Sequence, residues 1–172
     1  FEFTIGQWHG LLGGKYNSTD SQIPITNVAY DEINYVLLDS LRNMTGIEFT
    51  LPSVDEWQYA AHGGVNNETT MYVGSNDVKR VAWYKNNSSN RKHAINDIVE
   101  KEPNTLDLFA MSGNVSELCN TRYPHQNGDN IQWTICGGNY RSAASEVTVF
   151  STAPIGVDEK NDLVGFRLVI RK

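Results

Sequence analysis

The longest amphipathic pattern in the chain covers residues 29–44. Five apolar residues recur there at spacings of three and four: Ile33, Val36, Leu37, Leu41 and Met44. This period places them along one face of a helix. Asn27 or Asp31 is suited to cap the start of that helix, and Gly46 is suited to end it. The pattern predicts a helix over 29–44 that packs one apolar stripe against the core.

A second helix is predicted to begin at Ser53. Ser53 and Glu56 have the spacing of a capping box, in which each side chain bonds the backbone N–H of the other residue. Trp57, Ala60 and Ala61 would then face the core, and Gly63 would end the helix. These two helices are expected to be the main ones, with a shorter helix beginning at Gly6.

Short runs with alternating or continuous apolar residues predict the strands. They cover residues 1–5, 81–84, 115–119, 131–136, 147–150 and 163–170. The runs at 115–119 and 131–136 flank a turn-rich loop and are expected to form a hairpin. The sum is an α+β domain with two main helices, short antiparallel strands and much irregular loop.

Composition narrows the class of protein. The 172 residues fit a single domain, 1–172, and 40% hydrophobic with 20% charged residues is typical of a globular chain. The net charge of −6 argues against nucleic acid or an anionic membrane as partner. No apolar run reaches the roughly 20 residues of a membrane span. Because the chain begins at Phe1 without a leader, we expect a processed product or an excised fragment.

Cys119 and Cys136 are the two cysteines of the chain. Both fall in predicted strands beside the same loop. They are compatible with one disulfide, which would indicate an oxidising compartment, and equally with two buried free thiols.

Several short motifs resemble one family in order and spacing. They are residues 51–64 (LPSVDEWQYAAHGG), 111–115 (MSGNV), 137–140 (GGNY) and 165–167 (GFR). Together they are similar to the formylglycine-generating-enzyme-like, or sulfatase-modifying-factor, domains. The resemblance implies a C-type-lectin-like fold. The family's usual first hairpin, upstream of Phe3, is missing from this sequence, as expected either of a chain cut at this point or of a shortened variant of the domain.

The resemblance also implies where an enzyme of this family would keep its chemistry. The aerobic enzymes bind copper through two cysteines that follow the GGNY-like motif at a spacing of five. The corresponding residues here are Ser142 and Val147. Since Cu(I) prefers soft thiolate ligands, neither residue can replace them. We therefore expect a protein that is not an enzyme, with oxidation of a peptide cysteine as the alternative.

Calcium is the metal that the resemblance leaves open. The family's GNV-containing turn resembles a Ca²⁺ site, which here would use Glu117 and the carbonyls of Gly113 and Val115. Hard oxygen ligands suit Ca²⁺. Ala110 replaces the family's Asp or Asn ligand, which would weaken the site. The alternative is a plain turn in which Glu117 makes an internal hydrogen bond.

A recognition surface is the remaining expectation. Variable proteins of diversity-generating retroelements resemble this family and randomise the segment that corresponds to residues 139–162. Candidate ligand-binding residues in or beside this segment are Tyr123, Trp133, Asn139, Tyr140, Arg141, Ala143, Phe150, Asp158 and Asn161. Tyr, Trp and Arg are frequent interface anchors, although Trp133 and Tyr140 are also good core residues.

The favoured hypothesis is a non-catalytic module that binds a protein or glycan through its C-terminal loops. We expect it outside the cell or on a cell or virion surface. The alternatives are an oxidase of the parent family and a structural subunit of an envelope lipoprotein complex.

Overall fold

A computed structural model describes residues 1–66, 69–124 and 131–171. The helices of this part are Ile5–Leu12 (α1), Leu38–Thr45 (α2), Val54–Ala61 (α3), Val78–Val81 (α4) and Ile95–Ile98 (α5). The strands are Phe49–Thr50 (β1), Ser116–Arg122 (β2), Gln132–Cys136 (β3), Thr152–Gly156 (β4), Val164–Gly165 (β5) and Val169–Ile170 (β6). The predicted α+β architecture with short strands is confirmed.

The strands form a four-stranded sheet of order β4-β3-β2-β5 and a two-stranded sheet of β1 and β6. The predicted hairpin is confirmed: β2 and β3 are antiparallel, and Leu118 lies opposite Ile135. β4 extends the sheet beyond β3, whereas β5 runs parallel to β2. No described helix is long and apolar enough to cross a membrane.

The predicted strand at residues 1–5 is wrong: within it, Thr4 forms an isolated bridge to Pro24, and no strand is present. Thr4 caps α1: its hydroxyl accepts a hydrogen bond from the Gln7 N–H, and the Gln7 side chain accepts one from the Thr4 N–H. This capping box starts the helix at Ile5, while Phe3 stays extended and donates its N–H to the Phe166 carbonyl. The short helix ends at Gly13, close to where the sequence predicted.

The long helix is present, but its apolar stripe differs from the predicted one. Residues Glu32–Leu37 form a π-helical segment that leads into α2, and Gly46 ends the helix with a φ of 69°. Hydrogen bonds from i to i+5 rotate the later residues relative to an α-helix. Consequently Leu38 is buried, whereas Val36 and Met44 are exposed.

α3 follows the sequence closely. Ser53 and Glu56 form the predicted capping box, and Trp57 and Ala61 are fully buried. Two predicted strands are absent from the described structure. Residues 81–84 begin with the last residue of α4, and residues 147–150 form turns in which the Thr148 N–H donates a hydrogen bond to the Ser151 hydroxyl.

A buried ion pair connects the central sheet to the C-terminal segment. The Arg167 guanidinium donates to both oxygens of Glu117, over 2.5 and 2.6 Å. The same carboxylate accepts from the Trp57 indole N–H over 2.6 Å, and Arg167 also donates to the Phe109 carbonyl. Four hydrogen bonds thereby stabilise these groups in the interior, where an unpaired charge would be costly.

The two cysteines are free thiols in the core beneath α3. Their sulfur atoms are 3.5 Å apart, and both residues are buried. The Cys119 thiol donates toward Cys136, and this contact together with burial raises the pKa of Cys119 far above its usual value. Of the two alternatives from the sequence, the structure shows the pair of buried thiols.

Glu2 lies near the buried ion pair and makes stability depend on pH. It is 2% exposed, and its Oε1 accepts a hydrogen bond from the Asn114 amide over 2.9 Å. Burial, and then the nearby Glu117 carboxylate, raise the pKa of Glu2 from its usual value of 4.5 to about 7. Because the folded pKa is the higher one, Glu2 stabilises the fold in acid, and this contribution is lost as pH rises from about 4.5 to 7.

We predict that Glu2→Gln removes this part of the pH dependence. Urea unfolding measures the free energy of unfolding at pH 5 and at pH 8. Between these two pH values, the free energy of unfolding of the native protein should fall by up to about 3 kcal/mol more than that of the variant. Glu48→Gln, at an exposed position, serves as the matched control and should keep the native profile. An unchanged pH dependence in Glu2→Gln would mean that Glu2 is not the titrating group.

Candidate functional site

A cavity of about 370 Å³ opens beside the central sheet, at the loop that follows β3. Its floor comes from the start of β2, the end of β3 and the start of β4, and its wall is the loop at 138–146. The lining residues are Ser116, Ile135, Gly138, Asn139, Ser142, Ser145, Glu146, Ser151, Thr152 and Ala153. Hydroxyl groups therefore dominate the polar surface of this cavity.

The loop wall is fixed by a glycine and by side-chain hydrogen bonds. Gly138 has a φ of 66°, and a Cβ at this position would lie 2.2 Å from the Glu146 carbonyl, so only glycine fits. The Asn139 N–H donates to the Ser142 hydroxyl, and the Asn139 amide donates to the Ser116 hydroxyl. Glu146 accepts from the Ala143 N–H over 2.7 Å. These contacts fix the shape of the loop that forms the cavity wall.

The hydrogen-bonding pattern defines what the cavity can bind. Ser116 and Ser142 each accept a hydrogen bond from Asn139, so the hydrogen of each hydroxyl remains free to donate. Glu146 is the charged residue among the described residues that line the cavity. The site can thus offer hydroxyl donors and one carboxylate acceptor.

The two positions that correspond to the family's cysteines lie in different surroundings. Ser142 lines the cavity, whereas Val147 is fully buried and packs with Tyr72, Val81 and Tyr84. Neither residue offers a thiolate, and Cys119 and Cys136 lie in the core and not among the residues that line the cavity. The residues present therefore do not fit the copper that the resemblance implies.

The structure places some of the predicted ligand-binding residues at the cavity and others in the interior. Asn139 lines the cavity, while Arg141 and Ala143 are exposed on the adjoining loop. The Arg141 guanidinium lies 5.2 Å from the Tyr140 ring and donates to Asn90 over 3.0 Å. Phe150 is exposed on a neighbouring turn.

The side chains of Tyr140 and Trp133 make contacts inside the protein. Tyr140 is 3% exposed, and its hydroxyl donates to Asp162 over 3.2 Å. Burial and the Asp162 carboxylate raise the pKa of Tyr140. Trp133 stacks on Tyr30 with ring centroids 3.8 Å apart and packs against the main hydrophobic cluster. Tyr140 is thus a core residue, the second of the two roles that the sequence left open, whereas Trp133 is partly buried against the core.

The remaining predicted residues lie away from the cavity lining. Tyr123 follows β2 and is half-buried, with its N–H donating to the Gln132 carbonyl. Asp158 is exposed after β4. The Asn161 side chain accepts from the Leu163 N–H and donates to Glu159, so it shapes its own turn.

Sequence reasoning missed several hydroxyl and acidic residues of the cavity. These are Ser116, Ser145, Glu146, Ser151 and Thr152. Serine and threonine are common in loops and strand ends, so nothing in their local sequence distinguishes them. Only the closure of β4 onto β3 brings residues 151–153 to the loop at 138–146.

The side chain among the predicted calcium ligands has another partner. Both oxygens of Glu117 bind Arg167. Gly113, Val115 and Glu117 are all buried, and no group of three His, Cys, Asp or Glu side chains in the described ranges is arranged as a metal site. Calcium binding here stays a prediction, and the contacts of Glu117 count against it.

Comparison with known proteins places the chain in a family. The sulfatase-modifying factor enzyme 1-like domain matches residues 7–172. The chain belongs to this family. Its fold is similar to that of Treponema denticola variable protein 1, with a TM-score of 0.82 and 22% identity over 99% of this chain and 82% of that one.

Two further solved structures share the fold of this sulfatase-modifying factor-like chain. CarF has a TM-score of 0.81 at 21% identity, over 97% of this chain and 83% of CarF. PvdO from Pseudomonas aeruginosa has a TM-score of 0.79 at 15% identity, over 99% of this chain and 78% of PvdO.

A curated relative is the chaperone protein LppX of Paenibacillus barcinonensis. It is 28% identical over 144 residues, which cover 72% of this chain and 50% of the relative. The chain thus spans half the length of this relative.

Proposed function

We propose that the protein is a non-catalytic recognition module that binds a protein or glycan ligand at the hydroxyl-lined cavity and the loops around it. The observation that carries this proposal is Ser142, which occupies the position of a family cysteine and lines a cavity of about 370 Å³. A hydroxyl at this position can donate a hydrogen bond to a ligand, but it cannot supply the soft ligand that copper requires.

The loops are well suited to recognition. They are fixed by the left-handed backbone of Gly138 and by hydrogen bonds from the Asn139 N–H to Ser142 and from the Ala143 N–H to Glu146, so little ordering would accompany binding. Arg141 and Phe150 are exposed at the surface and belong to residue types that often anchor interfaces.

The segment 139–162 is the part in which we propose sequence diversification. It supplies one wall of the cavity and its neighbouring turn, and a protein named as variable shares the fold. A reverse transcriptase gene and a near-repeat of this coding segment beside the gene would support the proposal. We further propose display outside the cell or on a cell or virion surface, where such a module would meet its ligand.

Blocking the cavity tests the proposed binding site. Ser145 is exposed, lines the cavity and has no described hydrogen bond of its side chain, so Ser145→Trp should fill the space and leave the fold intact. Ligands found on glycan and protein arrays should lose about tenfold or more in affinity. Ser18→Trp, at an exposed residue outside the cavity, is the control. Equal binding by both variants would contradict the assignment of the cavity.

A further inference from the structure

A second open cavity adjoins the hydroxyl-lined one. It has a volume of about 580 Å³ and is lined by Thr69, Thr70, Met71, Asn76, Ser145, Thr148 and Phe150. Ser145 lines both cavities, so they form one continuous surface. We call the second one the Met71–Phe150 cleft. Its lining includes no charged residue among the described ones.

Two large apolar side chains are exposed at this cleft. Phe150 is 66% exposed and Met71 is 56% exposed. Single exposed apolar residues are common on protein surfaces. Here two of them line the same concavity, next to the polar cavity whose wall is the loop at 138–146.

The backbone beneath these side chains is fixed. The N–H of the fully buried Val149 donates to the Met71 carbonyl over 3.1 Å, which connects the two segments. The Met71 N–H donates to the Asn76 side chain over 2.8 Å. The backbone at Met71 and next to Phe150 is therefore held in place, and the cost of ordering the backbone on binding is reduced.

We propose that the Met71–Phe150 cleft receives an apolar side chain of a protein partner, while the adjoining segment of that partner enters the hydroxyl-lined cavity. This inference rests on the proposed function and selects a protein segment over a glycan. An apolar centre beside a polar border is the usual anatomy of a protein interface. Methionine adapts its shape to the inserted side chain, and Phe150 offers a flat aromatic face.

The polar groups of the cleft also favour a protein segment over a glycan. The Asn76 oxygen is bonded to the Met71 N–H, and the hydroxyls of Thr148 and Ser151 bond each other over 2.9 Å. The Ser145 hydroxyl stays available in the cleft, but an apolar side chain placed beside Met71 and Phe150 needs no polar partner there.

Charge defines the partner segment further. Glu146 is the charged residue among the described residues that line the two cavities, and the chain carries a net charge of −6. Complementary charge favours approach and suppresses mismatched partners. The segment that fits is therefore neutral or basic, with an aliphatic or aromatic anchor.

Selection from a phage-displayed library of short random peptides tests the inference. Enriched peptides should combine an aromatic or aliphatic residue with lysine or arginine. A synthetic copy of an enriched peptide should bind Phe150→Ala at least about tenfold more weakly than the native protein, as expected for an interface anchor. Tyr35→Ala removes an equally exposed aromatic side chain that lines neither cavity and should bind normally.

The outcomes separate this inference from the proposed function. Peptides that bind Phe150→Ala as tightly as the native protein would overturn the role of the cleft. Selection of no peptide, together with glycan binding that Ser145→Trp abolishes, would also overturn it and leave the proposed function standing. Absence of both peptide and glycan binding would overturn both.

Discussion

Arg167→Met is expected to lower the free energy of unfolding by about 3–5 kcal/mol. Arg167 is 7% exposed, and its guanidinium binds both oxygens of Glu117, which is 1% exposed. Methionine approximates the length of arginine but leaves the Glu117 carboxylate without its cation in a low-dielectric interior. The Trp57 N–H would remain as a donor, which is too little to compensate a buried charge.

Urea unfolding followed by tryptophan fluorescence measures this effect. Arg171→Met is the matched control, because Arg171 pairs with Glu56 over 3.0 Å with both side chains about half exposed. An exposed pair of this kind contributes less than about 1 kcal/mol. Similar small losses in both variants would show that the Glu117–Arg167 pair does not hold the C-terminal segment to the sheet.

Gly113→Ala is expected to lower the free energy of unfolding by about 2–5 kcal/mol, nearly as much as Arg167→Met. Gly113 has a φ of 78°, and a Cβ there would lie 2.2 Å from the Trp83 carbonyl oxygen. The neighbouring Asn114 N–H donates to that same oxygen over 2.7 Å, so the backbone cannot move away without breaking the contact.

Gly46→Ala separates steric conflict from backbone conformation. Gly46 has a similar φ of 69°, but a Cβ there would meet nothing within 4 Å. Gly46→Ala should therefore lower the free energy of unfolding by only about 1 kcal/mol, the cost of an alanine in the left-handed conformation. The comparison uses thermal and urea unfolding of both variants. Equal losses would mean that the close approach of Gly113 to Trp83 is not a constraint on the fold.

The features that sequence predicted well are set by neighbouring residues. The capping box of Ser53 and Glu56, the helix end at Gly46 and the hairpin of β2 and β3 all depend on short-range chemistry. The family motifs extended these local predictions to the whole fold, because their order along the chain is specific to one architecture.

The errors arose where a local pattern met a competing contact. Alternation at residues 1–5 predicts a strand, but the Thr4–Gln7 capping box begins a helix at Ile5. The spacing of Val36 and Met44 fits an α-helix, yet the π-helical segment Glu32–Leu37 turns both side chains to the surface. The spacing of hydrophobic residues alone does not reveal either effect.

The site was predictable only in part. Ser142 was assigned to the former position of a cysteine from the family motif, and the structure places it in the cavity. Ser116 and Thr152 come from distant parts of the chain and meet there through the pairing of β2, β3 and β4. Such tertiary closure leaves no local signal in a single sequence.

The proposed function requires that this protein recognise a ligand without oxidising it. Incubation with Cu(I), oxygen and a cysteine-containing sulfatase peptide, followed by mass spectrometry, tests that requirement directly. With a hydroxyl at 142, an isopropyl group at 147 and both thiols buried, we predict that the peptide cysteine is recovered without conversion to formylglycine. Catalytic conversion by the native protein that disappears in Cys136→Ala would contradict the proposed non-catalytic function.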